Sequence, residues 1–241
     1  MHKSSYEKMM KFKNDYLLEK QNLPLTIFDL GSYDVNGSYK PIFSEKKWNY
    51  YGCDIEKGPN VDIIIADAYS WDEIPDNSYD VVISGQAFEH IEYFWVTILE
   101  LRRILKPGGY LCVIAPAGGN EHKYPLDCWR FYTDGFRALA KFAQLKELEI
   151  YTDWEVYWSD SVLIAQKEHN SVLDEKSSTQ YELLSLIVND KLLDYKKKTN
   201  ENSLKANLYD EIISSTTWRM TKPFRGMIDK IKKVTNKGEI K

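Results

Sequence analysis

Three aspartates close to the ends of apolar runs are the residues best placed for chemistry in this chain. Asp29 lies in LTIFDL, Asp54 ends WNYYGCD and Asp67 ends VDIIIAD. One acid at such a position is usually a turn or cap residue, but three in succession indicate a shared ligand. Asp54 follows the loop after Asp29 by about 20 residues, the spacing at which a carboxylate accepts ribose hydroxyls in dinucleotide folds. Asp67 is then placed to receive the exocyclic amine of a base.

Two histidines are expected near these acids. His90 follows the run YDVVISG, and His122 lies in GGNEHKYPLDCWRFYTDG, directly after the run GYLCVIAPA. Imidazole is the side chain that exchanges a proton near neutral pH, so either ring is a candidate general base. The same segment carries charged and aromatic groups suited to holding a substrate: Tyr124, Asp127, Trp129, Arg130 and Tyr132. The other histidines, His2 and His169, fall in segments predicted to be loose ends.

The elements that position these residues follow from the hydrophobic pattern. Several runs are apolar throughout, as parallel strands covered on both faces must be. Helices are predicted at about 91–105 and 134–145, and a leading amphipathic helix begins at a capping box of Ser4 and Glu7. The late runs LEIYTDWEVYW and DSVLIAQK are too close for a crossover helix, so they predict an antiparallel pair at one edge of the sheet. The pattern is that of an α/β fold, in which ligands bind beyond the carboxyl ends of the strands.

Composition excludes several classes of protein. A formal net charge of -4 over 241 residues argues against a nucleic-acid binder, which needs basic surface. Three cysteines without a CxxC pair argue against a zinc site or a disulfide framework, and Cys53 and Cys112 are predicted to be buried thiols. The N-terminus lacks the apolar core of a signal peptide, and no segment approaches the roughly 18 apolar residues of a membrane span. We therefore predict a cytoplasmic protein.

Five sequence blocks carry a resemblance to a known family. FDLGSYDVNGSY, YYGCDI, IIIADAYSW, YDVVISGQAFEHI and RRILKPGGYLCVIAP occur in that order between about residues 24 and 167. They resemble a class I S-adenosylmethionine-dependent methyltransferase. The resemblance implies a doubly wound, mostly parallel seven-stranded sheet whose last strand is antiparallel. It also implies S-adenosylmethionine as the cofactor and residues 1–167 as the methyltransferase domain, with its N-terminal helix.

The resemblance also implies the cofactor-binding residues. Asp29 and Gly31 would flank the methionine part together with Ser32, Asp54 would hold the ribose, Ile55 would cover the adenine, Asp67 and Ala68 would line its edge, and Gln86 would close the methionine side. The loop departs from the family pattern of three alternate glycines, because only Gly31 keeps its place. S-adenosylmethionine has no phosphate that needs a close backbone, so a looser loop serves it, whereas the same substitutions argue against NAD.

Transfer of a methyl group to a hydroxyl requires a base and a held acceptor. We expect His122 or His90 to be the base and Asp127 to support it, with Tyr33, Trp129, Arg130 and Tyr132 binding the acceptor. Two alternatives remain: His90 is a helix-start residue that only contacts the cofactor, and Asp127 pairs with Arg130 for structure. No metal site is predicted, and a divalent ion near Glu89, His122 and Asp127 is the less favoured alternative.

Residues 168–241 are predicted to form a helical, basic C-terminal appendage. From 216 to 241, eight Lys or Arg face two acids, which gives 8 - 2 = +6. This amphipathic tail can lie peripherally on anionic lipid at the inner membrane face, dock on a glycan-assembly enzyme, or pack on its own domain.

Two short segments favour a surface-polysaccharide pathway. STTWRMTKPFR and HKYPLDCWRFYTDG resemble elements of bacterial enzymes of such pathways. They predict O-methylation of a sugar, nucleotide-sugar or glycan in capsule or lipopolysaccharide biosynthesis. The alternatives are a catalytically inactive scaffold with the same fold and a small-metabolite methyltransferase.

Overall fold

The computed structural model describes residues 2–65, 69–123 and 126–169. The predictions for Asp67, Ala68 and Tyr124, and for the appendage beyond residue 169, lie outside the described residues. Within the described ranges, no helix is long and apolar enough to cross a membrane.

The described residues form one mixed sheet with helices on both faces. Its elements in chain order are α1 (Lys3–Tyr16), β1 (Leu25–Leu30), β2 (Trp48–Asp54), β3 (Ile63–Ile64), β4 (Tyr79–Gly85), α2 (Phe94–Ile104), β5 (Leu105–Pro116), α3 (Thr133–Phe142), β6 (Lys146–Thr152) and β7 (Asp160–Gln166). The seven strands lie in the order β3-β2-β1-β4-β5-β7-β6. Strands β1 to β5 pair in parallel, and β7 is antiparallel to both β5 and β6. The predicted fold class and the antiparallel edge pair are confirmed.

The central strands are buried on both faces, which explains their unbroken apolar sequences. Phe28 and Val82 belong to one core cluster, whereas their neighbours Ile27 and Ile83 belong to the other. This alternation follows from the two-residue period of a strand, which sends successive side chains to opposite faces. Helix α1 covers the second cluster with Met9 and Phe12, and Leu17, the residue that follows the helix, packs there too; all three are fully buried. Cys53 and Cys112 are buried thiols, as predicted.

The N-terminal segment corrects two predictions. Helix α1 begins at Lys3 with His2 as its N-cap and no side-chain capping bond, so the predicted capping box of Ser4 and Glu7 is wrong. The Ser4 hydroxyl instead donates to Asp160 Oδ2 at 2.6 Å, because a tertiary partner replaces the local one. His2 is not in a loose end either, since its ring stacks on Trp158 with 5.0 Å between centroids.

Candidate active site

The loop after β1 is drawn tightly against its neighbours at the carboxyl edge of the sheet. The backbone N–H groups of Gly31 and Ser32 both donate to the Cys53 carbonyl, at 2.9 and 3.1 Å. Gly31 has φ +79°, a left-handed conformation that favours glycine. A Cβ at Gly31 would lie 2.5 Å from Ala87 Cβ. The backbone at Gly31 therefore lies close to the turn after β4. Gly31 is the one loop glycine that stands where the resemblance places one.

Asp54 is positioned by that loop. Its Oδ2 accepts a hydrogen bond from the Tyr33 backbone N–H at 3.1 Å, and its Oδ1 accepts one from Glu56 at 3.3 Å. The side chain is half-buried, and two carboxylate oxygens offer about four acceptor positions. Asp54 therefore keeps capacity for a diol ligand while its orientation is held by backbone. The neighbouring Ile55 is 54% exposed and available to cover a flat ring.

Asp29 is more deeply placed than Asp54. It is 2% exposed and accepts a hydrogen bond from the Tyr50 hydroxyl through Oδ2. Its other oxygen, Oδ1, is buried with no hydrogen-bond partner among the described residues. Burial raises the pKa of Asp29 from the usual 3.8 of an aspartate to about 7, and the Tyr50 bond opposes this only partly. Asp29 Oδ1, two residues before Gly31, can therefore accept a hydrogen bond from a ligand that carries a cationic or other N–H group.

Ser32 and Tyr33, two other residues predicted for the site, make contacts with the loop that follows Asp54. The Ser32 side chain is 5% exposed, and its hydroxyl donates to the Asn60 carbonyl at 3.0 Å. The Tyr33 ring packs against Gly58, where an added Cβ would lie 2.1 Å from the ring. Tyr33 is thus placed beside the loop that follows Asp54.

Gln86 connects the turn after β4 to a residue that the sequence reasoning missed. Gln86 has φ +59°, and its Nε2 donates to Asp160 Oδ1 at 3.0 Å, while its Oε1 is buried without a hydrogen-bond partner in the described ranges. Asp160 is fully buried and also accepts from Ser4, with Lys8 Nζ 3.7 Å away. Asp160 therefore ties α1 and β7 to this turn. The sequence signal was weak: an acid that opens the apolar run DSVLIAQ.

The segment bearing His122 is fastened to the turn after β4, which is a 3-10 turn over Phe88–His90. The Glu89 carbonyl accepts hydrogen bonds from the backbone N–H groups of Cys128 (2.7 Å) and Trp129 (3.2 Å). The His90 ring bonds through Nδ1 to the Leu126 carbonyl at 2.5 Å. These contacts bring the His90 and His122 rings to 5.0 Å between centroids, in an edge-to-face arrangement.

Asp127 both pairs with Arg130 and contacts His122. Arg130 donates to both carboxylate oxygens, at 2.5 and 2.8 Å, and this bidentate pair holds the pKa of Asp127 well below its usual range. Asp127 Oδ2 also accepts the His122 backbone N–H at 2.6 Å and lies 3.3 Å from His122 Nδ1. Asp127 therefore does both things considered from the sequence: it pairs with Arg130, and it contacts the histidine that it was expected to support.

Glu89 has an unusual environment. It is fully buried, and neither carboxylate oxygen has a hydrogen-bond partner within the described ranges. Burial raises the pKa of Glu89 to about 8 and lowers that of the adjacent His90 ring. Glu89, His90 and His122 therefore lie together on the turn after β4 and the loop after β5, which we call the rim. All three are side chains of types that bind and release protons.

Aromatic rings lie close to these three side chains. His122 lies 4.6 Å from the Trp158 ring, which the sequence reasoning did not single out. Next to it, a cleft of about 450 Å³ is lined by Phe94, Trp129, Arg130, Phe131 and Tyr132 among others. Tyr132 also stacks on Trp154, with 6.1 Å between ring centroids, and the two residues are 56% and 63% exposed. The arrangement offers flat apolar faces, one guanidinium and a cluster of bases.

The chain contains a segment that matches a protein-family model. Residues 32–113 match the model described as "Methyltransferase domain", from the loop after β1 to the middle of β5. A polyketide synthase-nonribosomal peptide synthetase, pyiS, of Pyricularia grisea is 33% identical over 82 residues, which are 32% of this chain. The match spans only 2% of the length of that relative.

Solved structures share the fold at low sequence identity. An S-adenosylmethionine-dependent methyltransferase from Archaeoglobus fulgidus has a TM-score of 0.52 and 14% identity, covering 68% of this chain and 95% of the other. The Burkholderia thailandensis 1,6-didemethyltoxoflavin-N1-methyltransferase, with bound S-adenosylhomocysteine, has a TM-score of 0.50 and 14% identity, covering 68% and 84%. The [4+2]-cyclase SpnF has a TM-score of 0.51 and 15% identity, covering 67% and 81%.

The predicted α/β fold is confirmed by these structures. The match over residues 32–113 supports a methyltransferase that uses S-adenosylmethionine. The SpnF likeness also shows that a cyclase shares this fold. The acceptor, and the reaction of the whole protein, must therefore be argued from the site itself.

Proposed function

We propose that this protein is an S-adenosylmethionine-dependent methyltransferase that acts on a hydroxyl of a sugar, nucleotide-sugar or glycan. The observation that carries the proposal is Asp54, a half-buried carboxylate held by the Tyr33 backbone N–H two residues after Gly31. This contact supports Asp54 as the diol-binding group, because it holds the carboxylate at the loop expected to bind the rest of the cofactor. When bound, S-adenosylmethionine supplies an activated methyl group on a sulfonium.

The residues around the loop fit this cofactor. Asp54 would accept the ribose hydroxyls, and Ile55 would cover the adenine. Gly31 would let the backbone approach the methionine part. Asp29 Oδ1 and Gln86 Oε1 are buried acceptors that have no donor among the described residues, and the methionine ammonium group is a donor of the kind they lack.

The rim would bind and deprotonate the acceptor. His122 or His90 would take the hydroxyl proton, and Asp127 would hold His122 in place through its backbone N–H. Positioning supplies much of the rate of an in-line displacement, so the rim's attachment to the turn after β4 matters as much as the base itself.

A sugar acceptor is favoured by the lining of the cleft. The faces of Trp129 and Tyr132 give flat apolar surface. Arg130 would offer its Nε–H, since its terminal N–H groups donate to Asp127, Asn120 and Trp129. Flat faces beside a charged donor suit a ring with apolar faces and polar edges. A small metabolite is the second candidate, because a cleft of about 450 Å³ is the size of a single small ligand. Tyr33, Trp129, Arg130 and Tyr132 remain the proposed acceptor residues.

Calorimetry with S-adenosylmethionine tests the cofactor site. Asp54→Asn keeps the shape of the side chain but removes its charge, and hydrogen bonds to charged groups contribute about 1.5–3 kcal/mol. We expect the Kd to rise by about 10- to 100-fold, since 1.4 kcal/mol is a tenfold change. Asp15→Asn removes the same charge from an exposed pair with Lys11 on α1 and is the matched control. Equal affinity of both variants would remove Asp54 from the site.

Product analysis tests the acceptor. S-adenosylhomocysteine release is measured with panels of nucleotide-sugars, oligosaccharides and small metabolites. Turnover with the sugar panels supports the first candidate, and turnover confined to small metabolites supports the second. His122→Ala should abolish turnover while leaving the Kd for S-adenosylmethionine within about twofold, a change of only ~0.4 kcal/mol. His169→Ala is the control, and normal turnover of the His122 variant would end the assignment of that base.

A further inference from the structure

We propose that Glu89, His90 and His122 form a binding site for one divalent transition-metal ion, for which zinc is the test ion. One ligand atom from each of the three side chains lies within 4.8 Å of the others. Two ligands about 2.1 Å from a shared tetrahedral zinc are about 3.4 Å apart. The side chains must therefore close by up to about 1.4 Å, within the reach of side-chain rotation, to complete the set. The glutamate and one histidine belong to the turn after β4, and the other histidine comes from the loop after β5.

The Glu89 carboxylate is the first reason to expect an ion. It is fully buried, and both of its oxygens lack a hydrogen-bond partner in the described part of the chain. Buried charges in proteins are paired or coordinate metals, because an isolated carboxylate loses its hydration without compensation. His90 Nε2 lies 3.6 Å from Glu89 Oε1, too far for a hydrogen bond but suitable for two ligands of one ion.

The tautomer of His90 is the second reason. Its Nδ1 lies 2.5 Å from the Leu126 carbonyl, and a carbonyl accepts but never donates. Nδ1 must therefore carry the proton, which leaves a lone pair on Nε2 in the neutral ring, facing Glu89. A histidine that donates one ring N–H to a backbone carbonyl and presents the other nitrogen is the arrangement that commonly supports a metal ligand.

His122 completes the set. Its Nδ1 is buried and forms no hydrogen bond within the described ranges, although Asp127 Oδ2 lies 3.3 Å away. The ring is held instead by Trp158 and by the bond from its backbone N–H to Asp127. Arg130 neutralises Asp127, so the charge that an ion would balance is the one Glu89 carries once the ion has displaced its proton.

The ligand types identify the class of ion. Two imidazoles and one carboxylate suit zinc, iron and related transition metals, whereas magnesium and calcium prefer oxygen ligands. Cysteine takes no part in the set, so the lack of a CxxC pair does not count against it. Three protein ligands leave at least one position open for a further group.

The role of the ion, but not its binding, rests on the proposed function. An acceptor hydroxyl at the open position would have its pKa lowered and would release its proton to water. Its oxygen would then form the new C–O bond as the C–S bond of the donor breaks, and that electron pair would stay on the sulfur. The histidines would in that case be ligands, and the ion would replace them as the means of deprotonation.

Metal titration of the untagged, full-length protein tests the site. After removal of metals with EDTA, zinc binding is measured by calorimetry and metal content by elemental analysis. Cobalt(II) is added separately, because its visible absorption bands report the coordination directly. We expect one ion per chain, and at least a tenfold loss of affinity in Glu89→Gln and in His122→Asn. His90→Asn is the second imidazole variant, since His122 also takes part in loop contacts.

Two control variants separate this site from adventitious binding. His169→Ala removes a histidine remote in sequence from the set, and Cys128→Ser removes an exposed thiol next to Asp127. Both should bind zinc as the wild type does. Absence of saturable binding, equal binding by Glu89→Gln and both imidazole variants, or loss of binding in Cys128→Ser would each overturn the proposal. S-adenosylmethionine calorimetry on the metal-free protein is read independently: its failure would overturn the proposed function and leave the metal result standing.

Discussion

Asp29 makes the stability of this protein depend on pH in a direction that can be calculated. Asp29 is 2% exposed, and burial raises the pKa of its carboxyl to about 7, against the usual 3.8 of an aspartate in an unfolded chain. A raised pKa means that the folded protein binds the proton more tightly than the unfolded chain. The stability contributed by the protonated form is therefore fully present below pH 3.8 and is lost as the pH rises towards 7.

The size of the effect follows from the two pKa values. Between pH 5 and pH 8, a site with these values lowers the free energy of unfolding by about 2.5 kcal/mol. Asp29→Asn has no charge to bury and accepts the Tyr50 hydroxyl through its amide oxygen. Relative to wild type, the variant should therefore gain about 2.5 kcal/mol between these two pH values.

Urea denaturation at pH 5 and pH 8 measures this difference. Other titrating groups change wild type and variant alike, so they cancel when the two free energies are subtracted. Asp54 and Tyr50 both act on Asp29 and are unchanged in the variant. Asp15→Asn, with a 45% exposed side chain, is the control and should show a change below about 0.5 kcal/mol. A difference between Asp29→Asn and wild type that is equal at both pH values would refute the reasoning.

Two further substitutions test the contacts that assemble the site. Gly31→Ala should lower the free energy of unfolding by about 1–3 kcal/mol, because φ is +79° and the new Cβ meets Ala87 Cβ at 2.5 Å; an unchanged melting temperature would show that the loop relaxes freely. Asp160→Asn should cost about 1–3 kcal/mol in urea titrations, because one oxygen cannot accept from both Ser4 and Gln86 and the new amide faces a donor. Retained stability would mean that this buried junction rearranges.

The carboxyl-edge acids were the most predictable part of the site. Asp54 was expected next to the first glycine loop because parallel strands end at the same edge, and its bond to the Tyr33 backbone places it there. The rim histidines were also expected on this edge, but their 5.0 Å separation was not. It depends on backbone bonds from Cys128 and Trp129 to the Glu89 carbonyl, which no pattern of side chains encodes.

Helix α1 and β7 were the least predictable contributors. Ser4 looked like a capping residue, because capping is the partner that local sequence offers, and a distant acid took its place. Trp158 and Asp160 stand at the entry to β7, where nothing nearby in the chain marks them as site residues. Their roles arise because β7 inserts between β5 and β6, which brings its first residues to the turn after β4.

The sequence by itself determined the class of fold and predicted that Asp29 and Asp54 lie at the carboxyl edge of the sheet. Those features follow from hydrophobic periods and from the polarity of parallel strands, both of which are local. The tertiary structure alone decided which side-chain oxygens are buried without a hydrogen-bond partner among the described residues, as both oxygens of Glu89 and Oδ1 of Asp29 are. It also decided which rings meet around His122. Desolvation and ring contact depend on atoms contributed by elements far apart in the chain, so neither can be read from neighbouring residues.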